Sequence, residues 1–376
     1  MVALSTFAVA VIALRPFNAA LIGAGKFVVE RQFQFLGLAV RILGTLWACL
    51  GFNSLLGVAL AETLALILPT VGAMGYVIYK NIAVPRISAI SVALWRQMTS
   101  YSLRSIASTL ASMAAVQGGT IVAGLIGTPS SVSYYNAALR VYMGIRNVGQ
   151  WCTTPFQTTL SRAYVHARDS AQQVVRSATF GTFLLVAGAS VGVLLVNEWL
   201  MGFWLGNDVP VEEIAQTLTV LLAGLVIFSL HGPLSMAAAA AGRPGLFFPL
   251  QLAWAVSGAL IGILLGEAMG ITGVALGMAL PLVIIEPLYF YVAVRFLELD
   301  LSRWCRECLL PVLLIVGFSG LVGLAVKIFA SFLSLGEGIV SVTSLIAMAL
   351  SALGVGYAAR PVLPWRSFKT ALSAEL

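Results

Sequence analysis

"SYYNAALRVYMGIRNVGQW", residues 133–151, decides how this chain is read. The stretch is mostly apolar and reads as a helix, yet it carries two permanent cations, Arg140 and Arg146. At helical spacing Ser133, Asn136, Arg140, Gly144 and Asn147 fall on one stripe. Tyr135, Tyr142, Arg146 and Gln150 form a second, about 120° round at 100° per residue. What such a face is for depends on what surrounds the helix.

The surroundings are apolar. Sixty per cent of the 376 residues are hydrophobic and 9% are charged, against about 25% charged in a soluble domain. Mean hydropathy is +0.99. Apolar runs of about 20 residues recur, each able to cross a hydrocarbon core of roughly 30 Å at 1.5 Å per residue. They lack the alternation of barrel strands. The fold class expected is an all-α integral membrane bundle with about eleven transmembrane helices and no sizeable soluble domain. The spans lie near residues 2–20, 33–51, 55–78, 102–126, 131–156, 174–196, 214–236, 246–266, 270–294, 308–329 and 338–358.

The net charge of +7 does not imply nucleic acid as a partner, because no binding motif for it appears and cytoplasmic loops collect Lys and Arg. One set of alternate loops holds Lys26, Arg31, Lys80, Arg86, Arg96, Arg162, Arg168, Arg176, Arg243, Arg295, Arg303, Arg306, Arg360, Arg366 and Lys369, fifteen of the 21 basic residues. The other set, "GFNS", "GTPSS", "NEWLMGFWLGNDVPVEE", "GEAMG" and "SFLSLGEG", holds none. A miscounted span would scramble this alternation. The C-terminus is therefore expected in the cytoplasm, and eleven spans put the N-terminus outside unless the first segment is not a full span. The opening "MVALSTFAVAVIALRPFN" has no basic region before its apolar run and no clear cleavage site, so it is a poor signal peptide.

Other features read blandly. Gly258, Gly262 and Gly266 lie four apart, Gly273 and Gly277 repeat the spacing, and both sets predict close helix packing. Trp199 and Trp204 fit an interfacial aromatic belt, and Asp208, Glu212 and Glu213 fit a solvated loop. Cys49, Cys152, Cys305 and Cys308, with only His166 and His231, complete no metal set. No metal and no cofactor are expected, and no catalytic constellation appears, so the chain reads as a non-enzyme.

Six cations remain outside the loops: Arg15, Arg41, Arg104, Arg140, Arg146 and Lys327. Arg41, Arg104 and Lys327 stand near span ends and can snorkel to the interface. Arg15, before Pro16, is ambiguous. Arg140 lies about 13 Å into a span starting near Ser131, where a lipid-facing Arg costs at least about 2.5–3.5 kcal/mol. Two readings fit. In one, Arg140 and Arg146 are buried partners of Glu62 and Glu286, the carboxylates placed mid-span. In the other they line a cavity that receives an anion. The breadth of the polar face, with Ser105, Ser108, Thr109, Ser112, Gln117 and Thr120 added by the preceding helix, favours the cavity. Arg is suited to phosphate oxygens, and no Walker loop supplies an ATP motor.

"SYSLRSIASTLASMAAVQGGTIVAGLIGTPSSVSYYNAALRV", with Tyr135, Asn136, Ala138 and Arg140 in a "YN.A.R" pattern, resembles the polysaccharide flippases of the multidrug/oligosaccharidyl-lipid/polysaccharide superfamily. "TTLSRAYVHA", "GFWLGNDV", "AAAGRPGL" and "GITGVALGMAL" resemble later segments in the same order. The resemblance implies a MATE-like two-lobe bundle, with about 11 of a probable 14 helices present. Residues 1–78 then form a partial N-terminal lobe of three helices, 79–101 an inter-lobe linker, 102–294 a C-terminal lobe of six helices, and 295–376 two extra helices and a cytoplasmic tail. About three helices would precede Met1, as in an incomplete or mis-started sequence, which puts autonomous transport in question.

The resemblance further implies a bacterial cytoplasmic membrane protein that flips a polyprenyl-pyrophosphate-linked oligosaccharide outward by alternating access. Its partners would be that lipid-linked substrate, membrane lipids, a coupling ion (H+ or Na+) and the polysaccharide assembly machinery. Arg140 stands at the family's Arg position. The substrate-binding set expected is Arg140, Arg146, Asn136, Asn147, Gln117 and Arg15, with Glu62 and Glu286 as ion-coupling candidates. The rivals are a multidrug antiporter of the same fold, a membrane-embedded polymerase or glycosyltransferase, and a non-transporting scaffold.

Overall fold

The computed structural model describes residues 14–52, 55–82, 91–166, 168–206 and 208–358. Arg86, Arg360, Arg366 and Lys369 of the basic loops lie outside the described residues, as does most of the expected first span. Among the described residues all regular structure is helical. Eight helices among the described residues are long and apolar enough to cross a membrane, and the protein is an integral membrane protein. The chain folds as two compact units, residues 1–95 and 96–376.

In the first unit α1 (Arg15–Gly23) packs on the antiparallel pair α2 (Phe27–Phe52) and α3 (Leu55–Tyr79). Small residues set the closeness of that pair. A Cβ on Gly37 would stand 2.7 Å from the Ala65 carbonyl oxygen, and one on Gly44 2.7 Å from the Ala61 Cβ. In lipid such backbone approach replaces hydrophobic exclusion as the source of packing energy. The same interface carries an ion pair, Arg41 Nε to Glu62 Oε2 at 2.9 Å, with both side chains about half exposed. Arg41 therefore does not snorkel: its guanidinium is held by the carboxylate across the pair.

The second unit runs through α4 (Val92–Ile126), α5 (Pro129–His166), α6 (Arg168–Leu205), α7 (Val211–Ala240) and α8 (Phe248–Leu297). Then α9 (Leu301–Trp304) continues through a π-helical turn, Cys305–Leu309, into α10 (Leu310–Phe332), and α11 (Glu337–Ala358) follows. The expected spans 246–266 and 270–294 are the two arms of α8, which reverses at Gly270, where φ is +60° and ψ −143°. That backbone region favours glycine, which has no Cβ to clash. The glycine series is the seam between the arms. A Cβ on Gly277 would lie 2.2 Å from the backbone of Gly262, and one on Gly273 2.1 Å from the Leu265 carbonyl oxygen. The indole of Trp254 closes the seam by donating to the Met278 carbonyl at 2.8 Å.

Contacts between helix ends follow the loop charges. Gly245, in the turn that carries Arg243, packs on the Arg104 side chain of α4. At the same end Arg176 of α6 pairs with Glu307 at 2.9 Å. The loops without Lys or Arg meet where Gly338 of α11 packs on the Trp199 indole of α6. Lys327 of α10 is anchored there too, donating to the Leu195 carbonyl at 2.6 Å instead of reaching outward.

Candidate functional site

The helix α5 is 38 residues long, about 57 Å at 1.5 Å per residue, so it outruns any hydrocarbon core. It is not among the eight apolar helices, because its arginines, amides and hydroxyls break the apolar run. Its neighbours shelter it instead. Tyr135, Ala138 and Tyr142 are fully buried in the core of the second unit, packed with α6, α7 and α8.

One turn beyond Tyr142, the same stripe opens on a cavity of about 610 Å³ within this unit. α5 contributes Arg146, Gln150, Thr153 and Gln157, three or four residues apart on one face. α4 faces them with Ser105, Ser108, Thr109 and Ser112, at the same periodicity. α6 adds Thr182, α7 adds Phe228, Ser229 and His231, and α8 adds Gln251. The Ser108 hydroxyl donates to the Gln251 side-chain oxygen, tying α4 to α8 across the opening. Among the described residues the polar lining is thus hydroxyls, amides, one imidazole and one guanidinium, with no carboxylate on the wall.

Arg146 is half-buried, and among the described residues it has no carboxylate partner. Its guanidinium carbon sits 4.9 Å over the Phe228 ring, a cation–π contact. Its Nη1 lies 3.9 Å from the Met143 sulfur, a weak acceptor. Its Nε is buried with no hydrogen-bond partner among the described residues. A cation in an apolar bundle with donors unspent is an arrangement awaiting acceptors.

The carboxylates expected to quench the arginines are engaged elsewhere. Glu62 is taken by Arg41 in the first unit. Glu286 of α8 is buried and meets His231 of α7, Oε2 to Nδ1 at 2.6 Å. The His231 ring lies stacked on Tyr289, with centroids 3.9 Å apart and planes 7° from parallel, and takes Phe228 edge-on at 4.7 Å. Glu286 Oε1 and the Tyr289 hydroxyl are buried without hydrogen-bond partners among the described residues. The closed-pair reading of Arg140 and Arg146 is therefore corrected: each mid-span carboxylate already has its own cation or imidazole.

Of the residues expected from sequence to bind substrate, Arg146 lies on the cavity wall, together with the α4 hydroxyls. The others stand off it. Arg140 and Asn147 are exposed on the first stripe of α5, and Gln117 is exposed on α4. Asn136 is half-buried and accepts a hydrogen bond from Thr120 at 3.0 Å. Arg15 lines a separate cavity of about 360 Å³ in the first unit, with Asn18, Glu30, Gln34 and Thr70. The periodicity of α5 does not point to His231, Phe228 or Gln251. A signal for His231 existed: an ionisable residue inside an apolar span, two positions before a helix-breaking Pro233.

Comparison with solved structures gives the fold a counterpart. The chain is similar to a lipid flippase. The structure titled "Lipid II flippase MurJ, inward closed conformation" superposes with a TM-score of 0.61 over 92% of this chain and 70% of its own, at 16% identity. At that identity the likeness is one of fold, and the MATE-like helical architecture expected from sequence is present. No family model matches the chain. No curated protein matches it in sequence.

Proposed function

We infer that this chain is a membrane transporter that turns a lipid-linked, negatively charged headgroup across the bilayer. The observation that carries this reading is Arg146, without a carboxylate partner among the described residues, on the wall of a 610 Å³ polar cavity inside an apolar bundle. Arg146 supplies the forked donor for a phosphate oxygen, and the hydroxyls and amides of α4, α5 and α8 supply contacts for sugar hydroxyls. The fold shared with a lipid flippase supports the same class of cargo.

Within this class we assign a polyprenyl-pyrophosphate-linked oligosaccharide, moved by alternating access to the outer leaflet of a bacterial cytoplasmic membrane for surface polysaccharide assembly. Arg140 and Arg15, cations outside the cavity, are further candidates for the headgroup's route, with Asn136, Asn147 and Gln117 beside it. Glu286, held by His231, is the stronger ion-coupling candidate, since Glu62 is occupied by Arg41. The drug-antiporter alternative wants carboxylates facing a cationic cargo, and among the described residues the cavity wall has none.

The test is reconstitution of the protein in liposomes with a fluorescent polyprenyl-diphosphate disaccharide. Protein-dependent translocation that Arg146→Gln slows supports the reading. Translocation of lipophilic cations in its place assigns the antiporter.

A further inference from the structure

The cavity holds a second group that changes its charge. Arg146 is its only fixed cation among the described residues, and a diphosphate brings more negative charge than one guanidinium neutralises. His231 stands in the same wall. Its Nδ1 lies 2.6 Å from Glu286 Oε2, so one hydrogen bond joins the ring to the carboxyl group. His231 is 1% exposed overall, its ring meets the cavity as part of the wall, and Nδ1 is the ring nitrogen that Glu286 engages, which leaves Nε2 for a ligand.

We propose that His231 is a second anion contact in this cavity, and that it takes up a proton at Nε2 when a diphosphate binds beside Arg146. The inference rests on the reading that the cavity receives an anion. Arg146, Glu286 and His231 together hold one guanidinium, one carboxyl and one imidazole, and in an apolar interior such a cluster favours the least net charge. An entering polyanion reverses that preference. A proton drawn from the surrounding water then makes the ring an imidazolium. Glu286 holds it at Nδ1, and Nε2–H donates to a phosphate oxygen. No covalent bond to the cargo forms, and the proton leaves when the anion does.

The neighbouring groups agree with that charge change. α8 presents Glu286 and the face of Tyr289, on which an imidazolium ring stacks favourably. α5 presents Arg146 across Phe228 and, one turn away, the Tyr142 hydroxyl, buried without a partner among the described residues. α4 and α6 bring to the cavity only side chains that do not titrate. Prolines stand near the pair in both helices, Pro233 in α7 and Pro281 and Pro287 in α8, and each removes a backbone N–H from the helical ladder.

Linkage makes the effect reciprocal: an anion that raises proton affinity is bound more tightly when the proton is present. The experiment is calorimetric titration of the full chain in nanodiscs with farnesyl diphosphate, in buffers of different ionisation heat near neutral pH. The expected result is uptake of about one proton per ligand bound by the wild type, and an affinity that falls as pH rises. His231→Asn keeps an amide N–H towards Glu286 but cannot titrate. It should bind about tenfold more weakly and take up no proton. If that variant fails to fold, Glu286→Gln serves, and its proton uptake should be lost in the same way. Wild-type binding without proton uptake, or undiminished uptake by the folded variant, overturns the proposal and leaves the anion reading standing. No binding by the wild type removes both. Loss of binding in Arg146→Gln bears on the anion reading alone, so the two failures are distinguishable.

Discussion

Replacing Arg146 with Gln separates a ligand-binding cation from a structural one. If Arg146 served the fold, its removal would orphan a buried partner, and breaking a buried ion pair costs about 3–5 kcal/mol. The structure gives it no such partner: the guanidinium rests on Phe228 and its Nε is unsatisfied. Substitution removes a cation–π interaction of about 0.5–2 kcal/mol, offset by relief of the unspent buried donor at about 1–3 kcal/mol. Thermal stability of Arg146→Gln should therefore match or slightly exceed the wild type. Binding should suffer instead, because a hydrogen bond to a charged group contributes about 1.5–3 kcal/mol. That is a weakening of about tenfold to just over a hundredfold in affinity for farnesyl diphosphate. Thermal unfolding and equilibrium binding on the same purified sample read both quantities. A variant that binds as the wild type does, or one that loses several kcal/mol of stability, refutes the reasoning.

Gly277→Val should prevent the two arms of α8 from closing, since its Cβ would stand 2.2 Å from the backbone of Gly262; a cost of about 3 kcal/mol or more should appear as loss of monodisperse protein on size exclusion. Gly317→Ala in α10, where nothing lies within 4 Å of the added Cβ, should leave stability unchanged or raise it by up to about 1 kcal/mol in a thermal melt. Arg41→Met should lower membrane abundance by stranding Glu62, and the double variant Arg41→Met with Glu62→Met should recover it, as quantitative blots of membrane fractions would show. Arg140→Ala, off the cavity wall, should leave farnesyl diphosphate affinity unchanged, whereas an effect on translocation alone would place Arg140 on the headgroup's route.

The features legible in the sequence were those with a period or a length. Runs of about 20 apolar residues became α2, α3, α4, α6, α7, α8, α10 and α11, and the glycines from 258 to 277 became the seam of α8. The stripe of Tyr135, Tyr142, Arg146 and Gln150 was legible for the same reason. Its outer part is buried core and its inner part is cavity wall. Partner choice was not legible. Whether Glu62 meets Arg41 or another arginine depends on which helices lie side by side, and periodicity within one helix carries no information on that. His231 was hidden in the same way, because its role depends on Glu286, which lies 55 positions further along the chain. The continuity of the polar face also misled. Asn136 and Gln117 share a helix with cavity residues, but Asn136 turns to Thr120 and Gln117 stands exposed.

A structure of the full chain with a polyprenyl diphosphate bound would put the anion cavity to trial. The diphosphate should lie within hydrogen-bond distance of the Arg146 guanidinium, between the α4 hydroxyls and the His231 ring. A diphosphate held elsewhere, with Arg146 still resting on Phe228 and turned from it, would contradict the assignment.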